Sequence, residues 1–291
     1  MSLIAGTLIL CAAAYALCWR AAGYLLSPPM SPMSHFPEHY GLPYEKVSFT
    51  TPDGLELKGW FLPSPSGDKR TILMCHGMSD NKGLLLKRTH FLNKTGGFNL
   101  LYFDFRSHGE SDGKITTTGA LETLDFDAAL GWLRAVKPEI SERIGVFGIS
   151  MGATVAVVAT PRHPGLRCAA VESPFTDYQT VIRRWFWNAV RVPYFPLVAL
   201  TILIARSRVK ASVLEGFNPL ESVPKISPRP LLVIGGECDR LMTPEDVKAV
   251  FNAAREPKRL WMVPRARHTE CREVAGEEYD ARLIEFFSTN L

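Results

Sequence analysis

Six short apolar runs, at 71–75, 99–103, 143–147, 168–171, 230–234 and 259–263, are separated by helical stretches at 83–93, 118–136, 150–160, 244–254 and 277–288. That alternation leaves few folds open. Parallel strands need long crossovers, and apolar runs without polar alternation need cover on both faces. The pattern therefore predicts an α/β chain with a mostly parallel sheet, helices on both faces, and ligands held beyond the carboxyl ends of the strands. Two alternating runs, 46–51 and 57–62, flank the turn Pro52-Asp53-Gly54 and read as a hairpin, which brings the sheet to eight strands. Apolar residues make up 46% of the 291 and charged residues 21%, enough for one large core. The net charge of +4 comes without a long basic block, so nucleic-acid binding is not suggested.

The first 26 residues differ in kind. Residues 2–19 carry no charge, Arg20 interrupts, and 21–26 are apolar again. This is about the length of a bilayer-crossing helix, at the short end. We expect an uncleaved membrane anchor over 1–26. The rival is a secretory signal, suggested by small residues at Ala12 to Ala14 and at Ala14 and Ala16, although no Lys or Arg precedes the run. Arg20 on its C-terminal side would put the main domain in the cytoplasm; signal cleavage would make it secreted or periplasmic. Residues 27–44 hold Pro28, Pro29, Pro32, Pro37 and Pro43, and read as a stiff linker that lifts a domain spanning 45–291 off the membrane. The six cysteines show no C-x-x-C pair and no metal-ligand spacing, as expected of reduced packing thiols.

Gly148-Ile149-Ser150-Met151-Gly152 is a G-x-S-x-G pentapeptide lying between the run at 143–147 and an apolar helical stretch. A sharp strand-to-helix turn holds a serine hydroxyl clear of its neighbours, and small residues on both sides let the backbone pass close to itself. The nucleophile it suggests needs a base, and the base needs an acid to orient it. Among seven histidines, only His268 follows the last predicted strand and precedes the last helix. Asp239 follows the strand at 230–234 and is the preferred acid; Glu172, after the sixth strand, is the alternative. No metal-ligand set is evident, and this chemistry needs no cofactor.

With Ser150, Asp239 and His268 in that chain order, and with His76-Gly77-Met78 and the run from Asp104 to Ser111 after the third and fourth strands, the chain resembles the serine hydrolases of the α/β-hydrolase superfamily from about Glu45 onward. The apolar N-terminus is similar, more loosely, to membrane-anchored members. The resemblance implies an α/β-hydrolase fold and an oxyanion hole of the Met78 and Met151 amides. His76 lies near the site, where it either shapes the oxyanion loop or touches substrate; His108 reads as structural. The stretch at about 176–225 is too long for a simple crossover and reads as a helical cap, with Trp185, Phe186 and Tyr194 as candidates for an apolar acyl pocket. The expected partners are a small acyl ester and a membrane. A serine peptidase of the same fold, or a silent membrane-tethered scaffold, stands as the alternative.

Overall fold

The computed structural model describes residues 2–209 and 216–291. Strands β1 (Glu45–Thr50), β2 (Glu56–Leu62), β3 (Arg70–Cys75), β4 (Asn99–Phe103), β5 (Arg143–Ile149), β6 (Leu166–Glu172), β7 (Leu231–Gly236) and β8 (Lys258–Val263) form one sheet in the order β1-β2-β4-β3-β5-β6-β7-β8. β1 and β2 pair antiparallel, as does β2 with β4; every other pairing is parallel. The eight-stranded, mostly parallel sheet expected from the alternation is the one observed, in the α/β-hydrolase architecture that the resemblance implied.

Period two along the strands divides the core. Leu73, Phe103, Val146 and Val233 face one side, under α3 (Glu122–Val136), α4 (Met151–Ala159) and α7 (Pro244–Ala253). Ile72, Met74, Phe147 and Ile234 face the other, under α2 (Lys82–Thr89) and α8 (Glu277–Asn290). Helix α3 starts four residues later than its pattern predicts. The Glu122 carboxylate accepts from the Thr117 and Gly119 amides and from both the Thr116 and Thr117 hydroxyls, which ties the preceding residues into a loop.

The cap consists of α5 (Tyr178–Val190), a turn at Tyr194–Val198 and α6 (Ala199–Arg208), with α5 bent 118° from the segment Tyr194–Arg208. Residues 210–215 of the expected cap lie outside the described residues. The N-terminal segment is one helix, α1 (Ser2–Leu26). Its last two turns are not free: Cys18, Ala22, Leu25 and Leu26 are buried against Ile182, Val198, Ile202 and Ala205 of the cap.

Residues 27–44 correct the expected linker. The Ser31 amide donates to the Ser79 carbonyl at 2.9 Å, the Asn81 side chain donates to the Ser31 carbonyl at 3.0 Å, and Phe36 lies 5.8 Å from Trp60. Prolines do stiffen this stretch, but Leu42, Met33 and Tyr44 join the core and hold it flat on the domain.

Beneath the carboxyl ends of β3 and β4, Lys82 and Asp104 are ion-paired with fully buried side chains, and Lys82 also reaches Glu110 at 2.6 Å. Removing one partner of such a pair leaves a charge stranded in the interior. Lys82→Met should lower the unfolding free energy by about 3–5 kcal/mol, read by urea denaturation; a loss no larger than that of a surface ion pair would show that water reaches Asp104.

Candidate active site

Ser150 sits where β5 turns into α4, with φ 54° and ψ −116°. A non-glycine residue with positive φ costs about 1–3 kcal/mol and persists only where its surroundings impose it. Here they do. A Cβ on Gly148 would lie 2.4 Å from the Gly152 carbonyl oxygen, and one on Gly152 would lie 2.2 Å from the Cys75 carbonyl oxygen, so both elbow glycines are sterically required. The Ser150 amide donates to the Glu172 carbonyl at 2.8 Å and fixes the turn to β6.

The structure brings Ser150, His268 and Asp239 into line. Ser150 Oγ is 3.0 Å from His268 Nε2, and His268 Nδ1 is 2.7 Å from Asp239 Oδ2. The other Asp239 oxygen accepts from the Leu241 and Met242 amides at 2.8 and 2.9 Å, which locks the buried carboxylate in place. The loops carrying the two residues clamp together, since the Cys238 amide donates to the Ala266 carbonyl at 2.9 Å. Glu172 makes no such contact. Its buried carboxylate accepts from Tyr279 Oη at 2.5 Å, and burial raises its pKa, the opposite of what an orienting anion needs.

Ser150 and His268 open into a cavity of about 300 Å³. Met78 and Met151 line it beside the serine, and Met151 is the first residue of α4, where backbone amides lack helical partners. Trp185 lines it as expected. Phe186 and Tyr194 do not: Phe186 packs into the cluster around α1 and α6, and Tyr194 lines a separate depression with Trp187 and Asn188. The 13 residues of α5 put Trp185 and Phe186 about 100° apart around its axis, so one faces the cavity and its neighbour cannot. A larger cavity, about 430 Å³, lies between Asp177, Arg206 and Asn218 and, among the described residues, shares only Phe175 with this wall. Ser150 and His268 mark the smaller one as the site.

Tyr24, Leu25 and Pro28 also line this cavity. Nothing in the sequence pointed to them, because an apolar run that can span a bilayer carries no sign that its end returns to the domain.

His76 is corrected from a substrate contact to a structural residue. It is fully buried; its Nδ1 is 2.7 Å from the Gly77 carbonyl, and its Nε2 accepts from the Phe105 amide at 3.0 Å. His108 repeats the pattern, with Nδ1 2.7 Å from the Arg106 carbonyl and Nε2 accepting from the Ser79 amide at 3.2 Å. Those partners assign the neutral tautomer protonated on Nδ1 to both rings. Together they brace the turn that carries Met78.

A model of the X-Pro dipeptidyl-peptidase (S15) family matches residues 63–202, which include the elbow but neither Asp239 nor His268. A Mycobacterium tuberculosis (strain ATCC 25618 / H37Rv) protein named Rv2307c is 30% identical over 226 residues, 77% of this chain and 72% of its own length. The solved structure of the Pyrococcus furiosus esterase Pf2001 has a TM-score of 0.76 and 30% identity, and covers 91% of this chain and 98% of its own. The α/β hydrolase GrgF from Penicillium, at 22% identity and a TM-score of 0.65 over 86% of this chain and 99% of its own, shares the fold. The chain belongs to the α/β-hydrolase superfamily. Membership puts it among hydrolases, and the strained strand-to-helix elbow has the geometry expected of a nucleophile turn.

The two buried histidines give this α/β hydrolase an acid-sensitive element. Burial, then the neighbouring His76, pushes the His108 pKa from 6.5 down to about 4, against a weaker upward pull from the Arg106 carbonyl, Glu122 and Asp104. A folded value below the unfolded one means that the neutral ring's contribution is complete above pH 6.5 and is lost as pH falls from 6.5 to about 4. His108→Asn should therefore flatten the decline of Tm between those pH values; an acid limb as steep as in the unmutated protein would assign it to other groups.

Proposed function

We propose that the chain is a serine hydrolase that cleaves carboxylic ester or thioester bonds of small to medium apolar acyl groups. The observation that carries this reading is the line from Ser150 through His268 to Asp239 at the floor of a cavity whose described wall holds no Asp or Glu.

Ser150 Oγ attacks the carbonyl carbon while its proton passes to His268 Nε2, and Asp239 stabilises the imidazolium. The Met78 and Met151 amides hold the tetrahedral oxyanion. The intermediate collapses as His268 returns the proton to the leaving oxygen or sulfur. Water then attacks the acyl-enzyme, giving its proton to His268, and the free acid leaves as Ser150 is restored.

The match to the S15 model favours a second reading, a peptidase of the same fold. An enzyme acting at a substrate amino terminus needs a carboxylate to hold the ammonium group, because a buried cation must be paired. The described wall offers none, whereas Leu25, Val181, Ile182 and Met242 suit an acyl chain. The esterase named among the structural neighbours points the same way. The N-terminal helix is an anchor or a signal sequence by length and composition; we take it as a retained anchor, with Arg20 on the cytoplasmic side.

Ser150→Ala should abolish p-nitrophenyl ester hydrolysis by several orders of magnitude, with circular dichroism unchanged. Asp239→Asn should cut turnover on the order of a thousandfold or more, and Glu172→Gln far less. The reverse ranking in equally stable variants moves the acid to β6. Faster cleavage of an X-Pro anilide than of any ester would favour the peptidase.

Each methylene buried in the cavity contributes about 0.8 kcal/mol, so kcat/KM should rise about fourfold per methylene until the cavity is full. A p-nitrophenyl series from acetate to decanoate reads this directly; a steady fall from acetate would exclude an apolar acyl pocket. Carbonate extraction and intact mass test the anchor, and a mature chain beginning after Ala16 would show signal cleavage.

A further inference from the structure

One end of α1 is built into the cavity at Ser150, while the other is left uncovered. Leu25 and Pro28 line that cavity. Tyr24, 44% exposed, stands at its rim with its ring 5.7 Å from that of Trp185. The Leu26 carbonyl accepts from the Thr116 amide at 2.8 Å, and Cys18 and Ala22 are sealed against the cap. Toward the amino terminus, by contrast, Ile4, Leu8, Ile9 and Leu10 are all at least 65% exposed.

The cap elements that pack on α1 continue this apolar surface. Phe195, in the turn, is 78% exposed, and Leu203, on α6, is 64% exposed. Aromatic rings and guanidinium groups gather where α1 meets the cap: Arg208 stacks over Trp19 at 3.6 Å, and Tyr15 is 6.0 Å from Trp19. Trp19, Tyr15 and Arg208 stand where the uncovered turns of α1 give way to the turns packed on the cap, and Trp, Tyr and Arg are residues that settle at a membrane–water interface. The apolar span, Ile4–Leu26, has 23 residues, a mean hydropathy of 1.6, and only 6% of its apolar window buried. The part not sealed against the cap, residues 4–17, is about 21 Å long at about 1.5 Å per residue, enough to enter most of a hydrocarbon core of about 30 Å while the rest of α1 stays with the domain.

We propose that α1 and the cap seat the mouth of the cavity on a lipid bilayer, and that the ligand is the acyl chain of a bilayer-resident ester, entering past the contacting Tyr24 and Trp185 rings at that mouth. The chemistry at Ser150 rests on the ester-hydrolase reading; the seating and the route of entry do not. A chain leaving the bilayer beside α1 would meet Tyr24 and Leu25 and pass into the cavity without crossing water, so its apolar surface stays buried throughout.

The test uses the full-length protein carrying Ser150→Ala, so that no turnover is needed, in phosphatidylcholine vesicles doped with a phosphatidylcholine whose acyl chain ends in a diazirine. After illumination, mass spectrometry should map adducts to Val181, Ile182 or Met242 inside the cavity, besides those on the exposed turns of α1. Adding Leu25→Trp, which fills the cavity, should lower the cavity adducts about tenfold relative to those on residues 4–10. The exposed pair Phe195→Asp and Leu203→Asp should lower them as well, with little risk to folding. Adducts confined to the outside of α1, or cavity adducts unmoved by both changes, would overturn the proposal. So would a stable dimer in detergent that shields Phe195 and Leu203. Because no bond is cleaved in this assay, a failure of the ester reading appears only in the hydrolysis series and leaves this outcome standing.

Discussion

Everything at the site depends on how closely two pieces of backbone approach at the elbow. The peptide of Gly152 lies against the Cys75 carbonyl, and that of Gly148 against Gly152, at separations no side chain permits. This contact holds the start of α4 against the end of β3, forces Ser150 to positive φ, and leaves its hydroxyl pointing toward His268. It also sets the loop after β3 beside the serine, where a Cβ on Gly77 would stand 3.4 Å from that of Ser150. The strain at Ser150 is sustained by α4 on one side and by the hydrogen bond to β6 on the other.

Under that loop lies a polar interior that has no part in the proposed reaction and a large part in its geometry. Lys82, Asp104 and Glu110 form one ionic group; Arg106, Asp125 and Asp53 form another. His76 and His108 fill the space between the loops with both ring nitrogens engaged. Buried polar groups are tolerated only when satisfied, and these satisfy backbone amides that the loops leave unpaired. The run from Asp104 to Ser111 is thus a scaffold for the Met78 turn: with φ 52° at Gly109, any Cβ would collide with the Asp104 carboxyl group, so this position requires glycine.

The cap and α1 form a second, smaller core on top of the first. It shapes the cavity above Ser150, and it makes the helix that resembles a detachable leader a structural part of the domain. A cut after Ala16 would still leave Cys18, Ala22, Leu25 and Leu26 in that core.

Sequence alone determined the strand and helix alternation and the elbow, and it singled out the candidate serine and histidine and a preferred acid, in their order. These are local: strand period, the glycine pair and the place of a residue just past a strand are all written in neighbouring positions. It did not decide which apolar side chains of the cap meet the cavity: Trp185 was placed correctly, but Phe186 was not, because the apolar side of α5 is divided between the cavity and the cluster around α1, and Tyr194 lies beyond α5 in the turn. Nor could it show that His76 is enclosed, that residues 27–44 lie flat on the core, or that Tyr24 and Leu25 wall the site. Those facts belong to the tertiary structure, because each depends on a surface supplied by residues distant in the chain: Phe105 for His76, Trp60 for Phe36, and the cap for the end of α1.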